Sequence, residues 1–405
     1  MSKWKWKKLG EVCEIHGRIG WQGLTRKEYR SSGDYLLITG INFTDNNTVD
    51  YESCVYVDKE RYVQDQYIQV RENDLLITKD GTLGKLALIA EMPPKPATLN
   101  GGLFVIRNPD NKIYPKFLMY VMKSEPFRKM IRKSITGSTV PHLTQNMLVN
   151  FPIPIPSLSE QRSIVKQVDE KLTKIEKIKT NAETNLKNAK ELFETTLEKE
   201  LNPPSRHSER SEESSADLPS GWEWKALDEF STNLDAKRKP VTKKNRVNGN
   251  YPYYGASGIV DYVDSYIYDG KYLLISEDGA NLVARSTPIA FIAEGKFWVN
   301  NHAHIIETAN EATLQYLVYF FENLDLSPYV KGMAQPKLSQ DSLYKIPIPL
   351  PPLSVQKEIV ARLDKLSENV KRLEANYKQI IANCDELKKS ILKKTFEGDS
   401  RSSRE

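Results

Sequence analysis

A few histidine, carboxylate and lysine residues of this chain could in principle do chemistry. His302 and His304 are two residues apart, so both would lie on one face of a strand, where two imidazoles could bind a metal ion. No third ligand is close to them in the sequence, and packing or hydrogen bonding explains them better. Asp278 followed by Glu294 and Lys296 has the residue order of a metal-dependent nuclease, but such loose matches arise by chance in a chain of this length. Neither group predicts a metal site.

Three short motifs resemble parts of known enzymes, and each is incomplete. Residues 202–205, Asn-Pro-Pro-Ser, lack the final aromatic residue with which amino-methyltransferases stack on a flipped base. Residues 80–85, Asp-Gly-Thr-Leu-Gly-Lys, are too short for a phosphate-binding loop and lack its serine or threonine. Residues 396–400, Phe-Glu-Gly-Asp-Ser, follow a predicted helix, whereas an AdoMet-binding loop follows a strand. We therefore expect no catalytic centre and no cofactor in this chain.

Basic residues near glycine turns predict chemistry of another kind, the neutralisation of phosphates and the reading of base edges. The net charge of +5 is mild evidence for a polyanionic partner. Six cations lie within residues 237–246, which is denser than an ordinary solvated surface, although a solvated loop charge remains the alternative for each residue. The predicted DNA-contacting residues are Arg18, Gln22, Arg26, Lys27, Lys79, Lys85, Lys237, Arg238, Lys239, Lys243, Lys244, Arg246, Tyr254 and Ser257.

Length and composition limit the class of protein. The chain has 405 residues, of which 39% are hydrophobic, enough for the cores of two or three domains. No apolar run reaches the length of a membrane span, and the first residues lack the apolar stretch of a signal peptide, so we expect a cytoplasmic protein without membrane contact. Cys13, Cys54 and Cys384 are too far apart in the sequence to suggest a disulfide framework or a zinc site.

The chain contains a long internal repeat. Residues 151–165 read FPIPIPSLSEQRSIV and residues 346–360 read IPIPLPPLSVQKEIV, 195 positions apart. At the same offset, residues 137–144 read GSTVPHLT and residues 332–339 read GMAQPKLS. Trp4 with Trp6 and Trp222 with Trp224 also recur, and we expect these tryptophans to anchor the core of each copy. The repeat predicts one strand-rich domain and one long helix, each present twice.

The two predicted helices have apolar residues at heptad spacing. In the second, intervals of three and four residues separate Leu363, Leu366, Val370, Leu373, Tyr377, Ile380, Cys384, Leu387 and Ile391. The first follows a looser pattern in which Lys179 occupies an apolar step, and Ser159 and Ser354 are the candidate N-caps. A helix of about 44 residues would be roughly 65 Å long. We expect the two to form an antiparallel coiled coil with each other, in preference to a homodimer or to each helix sealing its own domain.

These observations predict an α+β protein with pseudo-two-fold organisation. Strands are expected at residues 35–39, 74–78, 103–106, 272–276 and 304–306, and short helices at residues 115–122 and 312–322. The predicted domains are residues 1–157 and 219–352, the long helices are residues 158–201 and 353–398, and residues 202–218 and 399–405 form a disordered linker and tail.

The paired GxxxPxL and PIPxPxLSxQ segments, each between a strand-rich domain and a heptad helix, resemble the specificity subunit of type I restriction-modification systems. The resemblance covers essentially the whole chain except residues 205–216 and the last few residues. It implies two target recognition domains, each reading one half of a bipartite sequence in double-stranded DNA. It further implies that the helices space these domains and dock two methyltransferase subunits, with restriction and translocase subunits in the full complex. AdoMet, ATP and Mg²⁺ would then belong to the partner subunits.

Two other classes of protein fit less well. A non-catalytic coiled-coil scaffold with incidental DNA affinity would leave the divergent loops of the two domains unexplained. A self-contained methyltransferase and nuclease would need the AdoMet and metal motifs that are incomplete here.

Overall fold

The computed structural model describes residues 4–20, 23–136, 142–201, 218–332 and 336–397. The chain divides into two compact units, Met1–Ala182 with Gln379–Glu405 and Glu183–Lys378, called unit 1 and unit 2 below. Each unit contains one strand-rich domain and a part of both long helices. Among the described residues, no helix combines the length and the apolar character that crossing a membrane requires. The predicted tail and nearly all of the predicted linker lie outside the described residues.

The elements follow one another in chain order. Up to the end of the first long helix they are β1 (Lys5–Lys8), β2 (Glu14–His16), β3 (Tyr35–Ile38), β4 (Val55–Val57), α1 (Lys59–Val63), β5 (Leu75–Thr78), β6 (Leu86–Leu88), β7 (Ala97–Leu99), β8 (Leu103–Arg107), α2 (Pro115–Met122), α3 (Glu125–Thr136), α4 (Gln145–Val149), β9 (Pro152–Ile155) and α5 (Leu158–Leu201). The remaining elements are β10 (Glu223–Lys225), β11 (Ser231–Asn233), β12 (Tyr251–Gly255), β13 (Gly258–Val263), β14 (Tyr268–Ser276), α6 (Asn281–Ala284), β15 (Ala290–Val299), β16 (Ala303–Thr308), α7 (Glu311–Asn323), α8 (Gln340–Tyr344), β17 (Ile348–Leu350) and α9 (Leu353–Glu397).

The domain of unit 1 is built on two sheets. One has the strand order β2-β8-β5-β6 and the other the order β4-β3-β7. Successive side chains of a strand point to opposite faces, so Leu75 and Ile77 of β5 pack in the core beneath α2 and α3, whereas Leu76 packs in the core shared with the second sheet. Burial on both faces explains why this strand is apolar throughout.

The domain of unit 2 is built on one larger sheet of order β11-β16-β14-β15-β12-β13. Its central strand follows the same rule: Leu273 and Ile275 pack under α7, and Leu274 packs on the other face. The predicted strands and short helices of both domains are present. The prediction of an α+β chain with two strand-rich domains and two long helices is therefore confirmed.

Each proline run forms a short strand that pairs with the first strand of its own domain. β9 pairs antiparallel with β1, and β17 pairs antiparallel with β10. Trp6 and Trp224 lie opposite prolines in these ladders, with 55% and 49% of their surface exposed. The expectation that they anchor the cores is wrong, because a two-stranded ribbon leaves one face in solvent. Their neighbours behave differently: Trp4 donates from Nε1 to Glu160 Oε1 at 2.9 Å, and Trp222 packs against the unit 2 core.

The long helices pack against each other within each unit. In unit 1, Lys179 Nζ donates to Asp385 Oδ1 at 2.8 Å, and Glu176 pairs with Lys388. The partner's number rises as the first number falls, so the two helices run antiparallel, as predicted. In unit 2, Arg362 Nη2 lies 2.6 Å from Glu200 Oε2. Lys179, which interrupts the apolar pattern of the first helix, thus has a carboxylate partner on the facing helix in Asp385.

Ser159 and Ser354 are not the N-caps of the long helices, because each lies one residue inside its helix. α5 begins at Leu158, and the Ser157 hydroxyl accepts from Glu160 N at 3.3 Å. α9 begins at Leu353, and the carbonyl of Pro352 accepts from the amides of the first turn. The helix starts as soon as the proline run ends, because the proline-free residues that follow can supply amide donors.

One of the two apolar rows predicted to form the seam is largely exposed. Leu363, Val370 and Cys384 are buried, whereas Leu373, Ile380 and Leu387 are 38%, 36% and 50% exposed. The seam prediction is wrong for the latter three. A pair of helices buries only a narrow stripe, and here that stripe follows every seventh residue, leaving the second row on the flank.

Each domain is held on its long helix by a buried glutamine from the repeated LSxQ motif. Gln161 donates from Nε2 to Pro156 O at 2.9 Å and accepts from Tyr114 N at 2.7 Å. Gln356 donates from Nε2 to Pro351 O and accepts from the Thr313 hydroxyl, each at 2.8 Å. The repeat therefore preserves a hydrogen-bonded junction between domain and helix.

A second junction uses one aspartate of each helix at the same repeat position. Asp169 of α5 accepts from the Tyr120 hydroxyl and pairs with Lys116 Nζ at 2.8 Å. Asp364 of α9 accepts from the Tyr319 hydroxyl at 2.6 Å. Both tyrosines lie on the helix that covers their sheet. We call the glutamine and aspartate junctions together the domain anchors.

Candidate nucleic-acid interface

The densest basic segment, residues 235–246, is fixed to the unit 2 sheet by its arginines. Arg238 donates to the Ala303 carbonyl at 2.9 Å and forms an ion pair with Glu277. Arg246 lies 3.0 Å from Asp261 Oδ2, with its guanidinium carbon 4.3 Å from the centre of the Tyr253 ring. Both guanidinium groups have partners within the domain, so neither arginine is free to contact a phosphate.

The backbone of the same segment is held by aromatic side chains. The Trp298 indole donates to Lys239 O at 2.7 Å, and Val241 N donates to the Tyr253 hydroxyl at 3.0 Å. The four lysines of the segment are exposed, and none has a carboxylate partner among the described residues. These four, called the loop lysines below, are Lys237, Lys239, Lys243 and Lys244. A fixed backbone that presents unpaired ammonium groups is suited to binding a phosphate backbone.

Beneath this segment lies a buried ionic cluster. His304 Nδ1 faces Asp235 Oδ2, and its Nε2 lies 2.8 Å from Leu338 O. Burial acts to raise the pKa of both Asp235 and Glu277, but hydrogen bonds from His304 and Arg238, respectively, hold each pKa below its ordinary value. One oxygen or nitrogen from each of Asp235, Glu277 and His304 lies within 4.8 Å of the others, as in a cation site. These carboxylates already have cationic partners in Arg238 and Lys337, so the cluster is best explained as an ionic network that fixes the segment.

The other two predicted contacts of unit 2 lie on or after β12. Tyr254 is half-buried, with its ring against Phe291 and Phe297. Ser257 accepts from Asn281 Nδ2 at 3.2 Å. Both side chains have contacts within the domain that restrict their orientation.

In unit 1 the predicted residues fall into different environments. Arg18 is only 3% exposed, donating from Nε to Leu99 O at 3.0 Å and from Nη2 to Thr98 Oγ1 at 3.2 Å. Burial lowers its pKa, and its Nη1 has no hydrogen-bond partner among the described residues. This placement speaks against direct contact with DNA. Gln22 lies outside the described residues.

Arg26 and Lys27 are exposed on a short turn that other residues hold. Thr25 N donates to Glu28 Oε2 at 2.8 Å, and Arg61 pairs with the same carboxylate. The hydrogen bond from Thr25 and that from Arg61 lower the pKa of Glu28 to about 2. The turn thus presents two cations from a fixed backbone.

Lys79 and Lys85 bracket the loop after β5. Lys79 Nζ lies 4.6 Å from the centre of the Phe104 ring, and burial lowers its pKa. Lys85 is exposed, and its amide donates to Thr78 Oγ1 at 2.9 Å. No hydrogen bond or ion pair among the described residues joins this loop to the turn that carries Arg26.

The sequence interpretation missed an exposed apolar row on the long helices. In unit 1 it consists of Ile178, Ile380 and Leu387, and in unit 2 of Leu192 and Leu373. Successive residues of a helix are rotated by about 100° about its axis. Ile178 and Leu387 therefore both lie on the side of the helix pair away from the ion pairs Lys179–Asp385 and Glu176–Lys388, and so they share one flank. Leu373 and Leu192 are their counterparts at the repeat offset of 195. The presence of apolar residues at both repeat positions was the sequence signal that could have revealed this row.

Comparison with known proteins identifies the family. The family model for the type I restriction modification DNA specificity domain matches residues 1–187 and again residues 219–382. A protein of Haemophilus influenzae assigned as a type I restriction enzyme specificity subunit is 44% identical over 36% of this chain and 37% of its own length. The EcoKI specificity subunit of Escherichia coli is 22% identical over 93% of this chain and 86% of its own length.

Solved structures share the fold. A chain from a study of the assembly and conformational transition of the type I restriction-modification system aligns over 98% of this chain and 99% of its own, with 22% identity and a TM-score of 0.73. The HsdS subunit of Thermoanaerobacter tengcongensis aligns over 98% of each chain, with 21% identity and a TM-score of 0.63. The resemblance carried by the paired proline motifs is confirmed: this chain belongs to the DNA specificity subunits of type I restriction-modification systems, which are non-catalytic.

Proposed function

We propose that each recognition domain binds one half of a split target in double-stranded DNA and that the long helices set the distance between the halves. The observation that carries this proposal is the contrast within the repeat. The domain anchors are the same in both units, whereas the sheets and the basic loops differ. Two domains that attach to their helices in the same way but differ in their loops are suited to binding two different DNA sequences. We take these domains to be residues 1–157 and 219–352.

In the second domain, the loop lysines would contact the phosphate backbone. Each neutralised phosphate releases condensed counterions, so the affinity for DNA should fall as salt is added. Arg238 and Arg246 would act indirectly by fixing the loop. In the first domain, Arg26, Lys27 and Lys85 are the exposed candidates for the same role.

A salt titration tests this assignment. We expect replacement of all four loop lysines by glutamine to weaken DNA binding by the full-length chain and to flatten the plot of log affinity against log salt. Each lost phosphate contact should reduce the slope by about 0.9, and so by up to about 3.6 for four contacts. The measurement is fluorescence anisotropy of a labelled duplex over a series of salt concentrations.

The matched control removes the same charge from a helix surface. Lys166, Lys171, Lys174 and Lys177 of α5 are exposed and have no carboxylate partner among the described residues. Their replacement by glutamine should change the slope by less than one contact. An unchanged slope in the loop variant, or an equal change in both variants, would remove the loop lysines from the interface.

The apolar row on the long helices is the surface that we assign to the methyltransferase subunits. Ile178 and Leu387 of unit 1 are equivalent to Leu373 and Leu192 of unit 2, which suits two copies of one partner. Full burial of a completely exposed leucine or isoleucine contributes about 1.5–3 kcal/mol, and these side chains are about half exposed, so burial of each would contribute about 1 kcal/mol. AdoMet, ATP and Mg²⁺ would then be bound by the methyltransferase and restriction subunits.

A further inference from the structure

Unit 1 contains a cavity in whose lining Lys85 is the one residue that also belongs to the proposed DNA-binding surface. It has a volume of about 390 Å³ and lies between α3, the end of α2 and the loops at residues 43–47 and 83–86. Its apolar lining includes Phe43, Leu86, Met122, Phe127 and Ile131. Small-molecule sites in proteins begin at about this size and are lined mainly by apolar groups.

Three cations line the same cavity without a carboxylate partner. Lys85, Lys123 and Arg128 form no salt bridge and no side-chain hydrogen bond within the part of the chain that the structure describes. Asp45 is the acidic residue of the lining, and it too has no ion-pair partner among the described residues. Arg132 also lines the cavity and pairs with Glu125, so the lining holds four cations and one carboxylate and has an excess of positive charge.

Of these cations, Lys123 has the surroundings that disfavour its charged form most. Its side chain is half-buried at the C-terminus of α2, close enough to Arg128 and Lys388 to be repelled by both. Burial and then these two cations lower its pKa to about 8. A charged lysine in such surroundings is stabilised when an anion binds beside it.

We propose that this cavity, the Lys123 pocket, binds a small organic anion, namely a carboxylate or a phosphate monoester attached to an apolar or aromatic group. The acidic end would bind Lys123 and Arg128, and the apolar end would pack on Leu83 and Phe43. A DNA backbone fits less well, because its phosphates lie on a convex surface and offer nothing to the apolar lining. α3 forms one wall, and among the described residues of unit 2 no equivalent helix lies between α7 and α8.

The direct test uses three probes with the full-length chain: phenyl phosphate, inorganic phosphate and benzyl alcohol. Phenyl phosphate should bind at least tenfold more tightly than either of the others, because it alone has both the charge and the ring. Isothermal titration calorimetry measures the affinity, and saturation-transfer NMR reports whether the ring is buried. Equal binding of phenyl phosphate and benzyl alcohol, or binding of neither, would overturn the proposal.

Variants locate the site. Lys123→Met and Arg128→Gln should each weaken phenyl phosphate binding at least tenfold, whereas Lys129→Met, at an exposed α3 position outside the pocket, should leave it unchanged. Lys123→Met should also raise the melting temperature, because it removes an unpaired half-buried charge, and so loss of binding could not be ascribed to unfolding. Equal losses in the Lys129→Met variant would contradict the assignment.

Two further arms separate this pocket from alternatives. Wild-type affinity for phenyl phosphate should fall between about pH 7 and 9 as Lys123 loses its proton, and Lys123→Arg should abolish that fall. Duplex DNA should not compete with the probe. Competition by DNA would assign the cations to the nucleic-acid surface and would overturn the small-ligand proposal.

Discussion

The two units attach their domains to the long helices in the same way but build different interiors. Gln161 and Gln356 occupy one position of the repeat, and each joins the helix start to its domain by hydrogen bonds. Asp169 and Asp364 likewise each accept from a tyrosine of the domain. The position of the domain on its helix is therefore a property of the repeat.

The interiors show the opposite behaviour. Unit 1 buries an ion pair between Arg107 and Asp74, with 2.7 Å between Nη2 and Oδ2. Unit 2 buries a larger network around Arg238 and Glu277, directly below its basic loop. Because the domain anchors are the same in both units, the interior and the loops of each domain can change without displacing the domain on its helix. The comparison teaches that the anchors and the binding surface are separable parts of one chain.

The largest effect should come from breaking the unit 2 network. Arg238→Met leaves the buried carboxylates of Asp235 and Glu277 without their guanidinium partner, and loss of one member of a buried ion pair destabilises a protein by about 3–5 kcal/mol. Hydrogen exchange followed by mass spectrometry should show faster exchange throughout the unit 2 domain, with the unit 1 sheets unchanged.

The adjacent residue supplies the control. Lys237 is exposed, so Lys237→Met should leave exchange unchanged in both units. The pKa of Asp235 and that of Glu277 are both depressed, so the wild-type network contributes stability at neutral pH and should lose it as the pH falls below about 4. Equal exchange in the two units after Arg238→Met would show that their interiors are not independent.

A smaller effect should follow from changes to the exposed apolar row. Leu192→Gln with Leu373→Gln alters the row of unit 2, and Ile178→Gln with Leu387→Gln alters the equivalent positions of unit 1. Each double variant should bind one methyltransferase subunit tightly and the other at least tenfold more weakly, as measured by native mass spectrometry of the assembled complex. Exposed side chains contribute little to the fold, so melting temperatures should stay within a few degrees of wild type.

Two results would contradict that account. Loss of both methyltransferase subunits from each double variant would mean that docking is not divided between the units. Full occupancy in both variants would place the docking surface elsewhere. Gln167→Leu, a change at an exposed α5 position outside the row, serves as the control and should not alter the stoichiometry.

Elements with strong periodicity were predictable from the sequence. The long helices followed from apolar spacing, and α2 and the central strands followed from short apolar runs bounded by turns. α3 was missed although Phe127, Met130 and Ile131 have helical spacing, because charged residues separate them and the segment is short. Heptad spacing did not reveal which apolar row faces the partner helix, since both rows contain leucine and isoleucine.

The basic loop shows what local sequence could not supply. Its six cations look alike in the sequence, but two are paired with carboxylates 39 and 15 residues away. Long-range partners of this kind depend on the tertiary fold, so which cations remain free could not be read from composition. The family, by contrast, was recognisable from the repeated proline motifs alone.

The central claim, that each domain reads one half of the target independently, is tested most directly by exchanging one domain. Residues 219–345 would be replaced by the matching domain of a relative, leaving both long helices and the first domain intact. Sequencing that detects methylated bases, in a host carrying the complete system, would identify the modified sites. The account predicts that one half of the recognised sequence changes and the other stays the same, and alteration of both halves would contradict it.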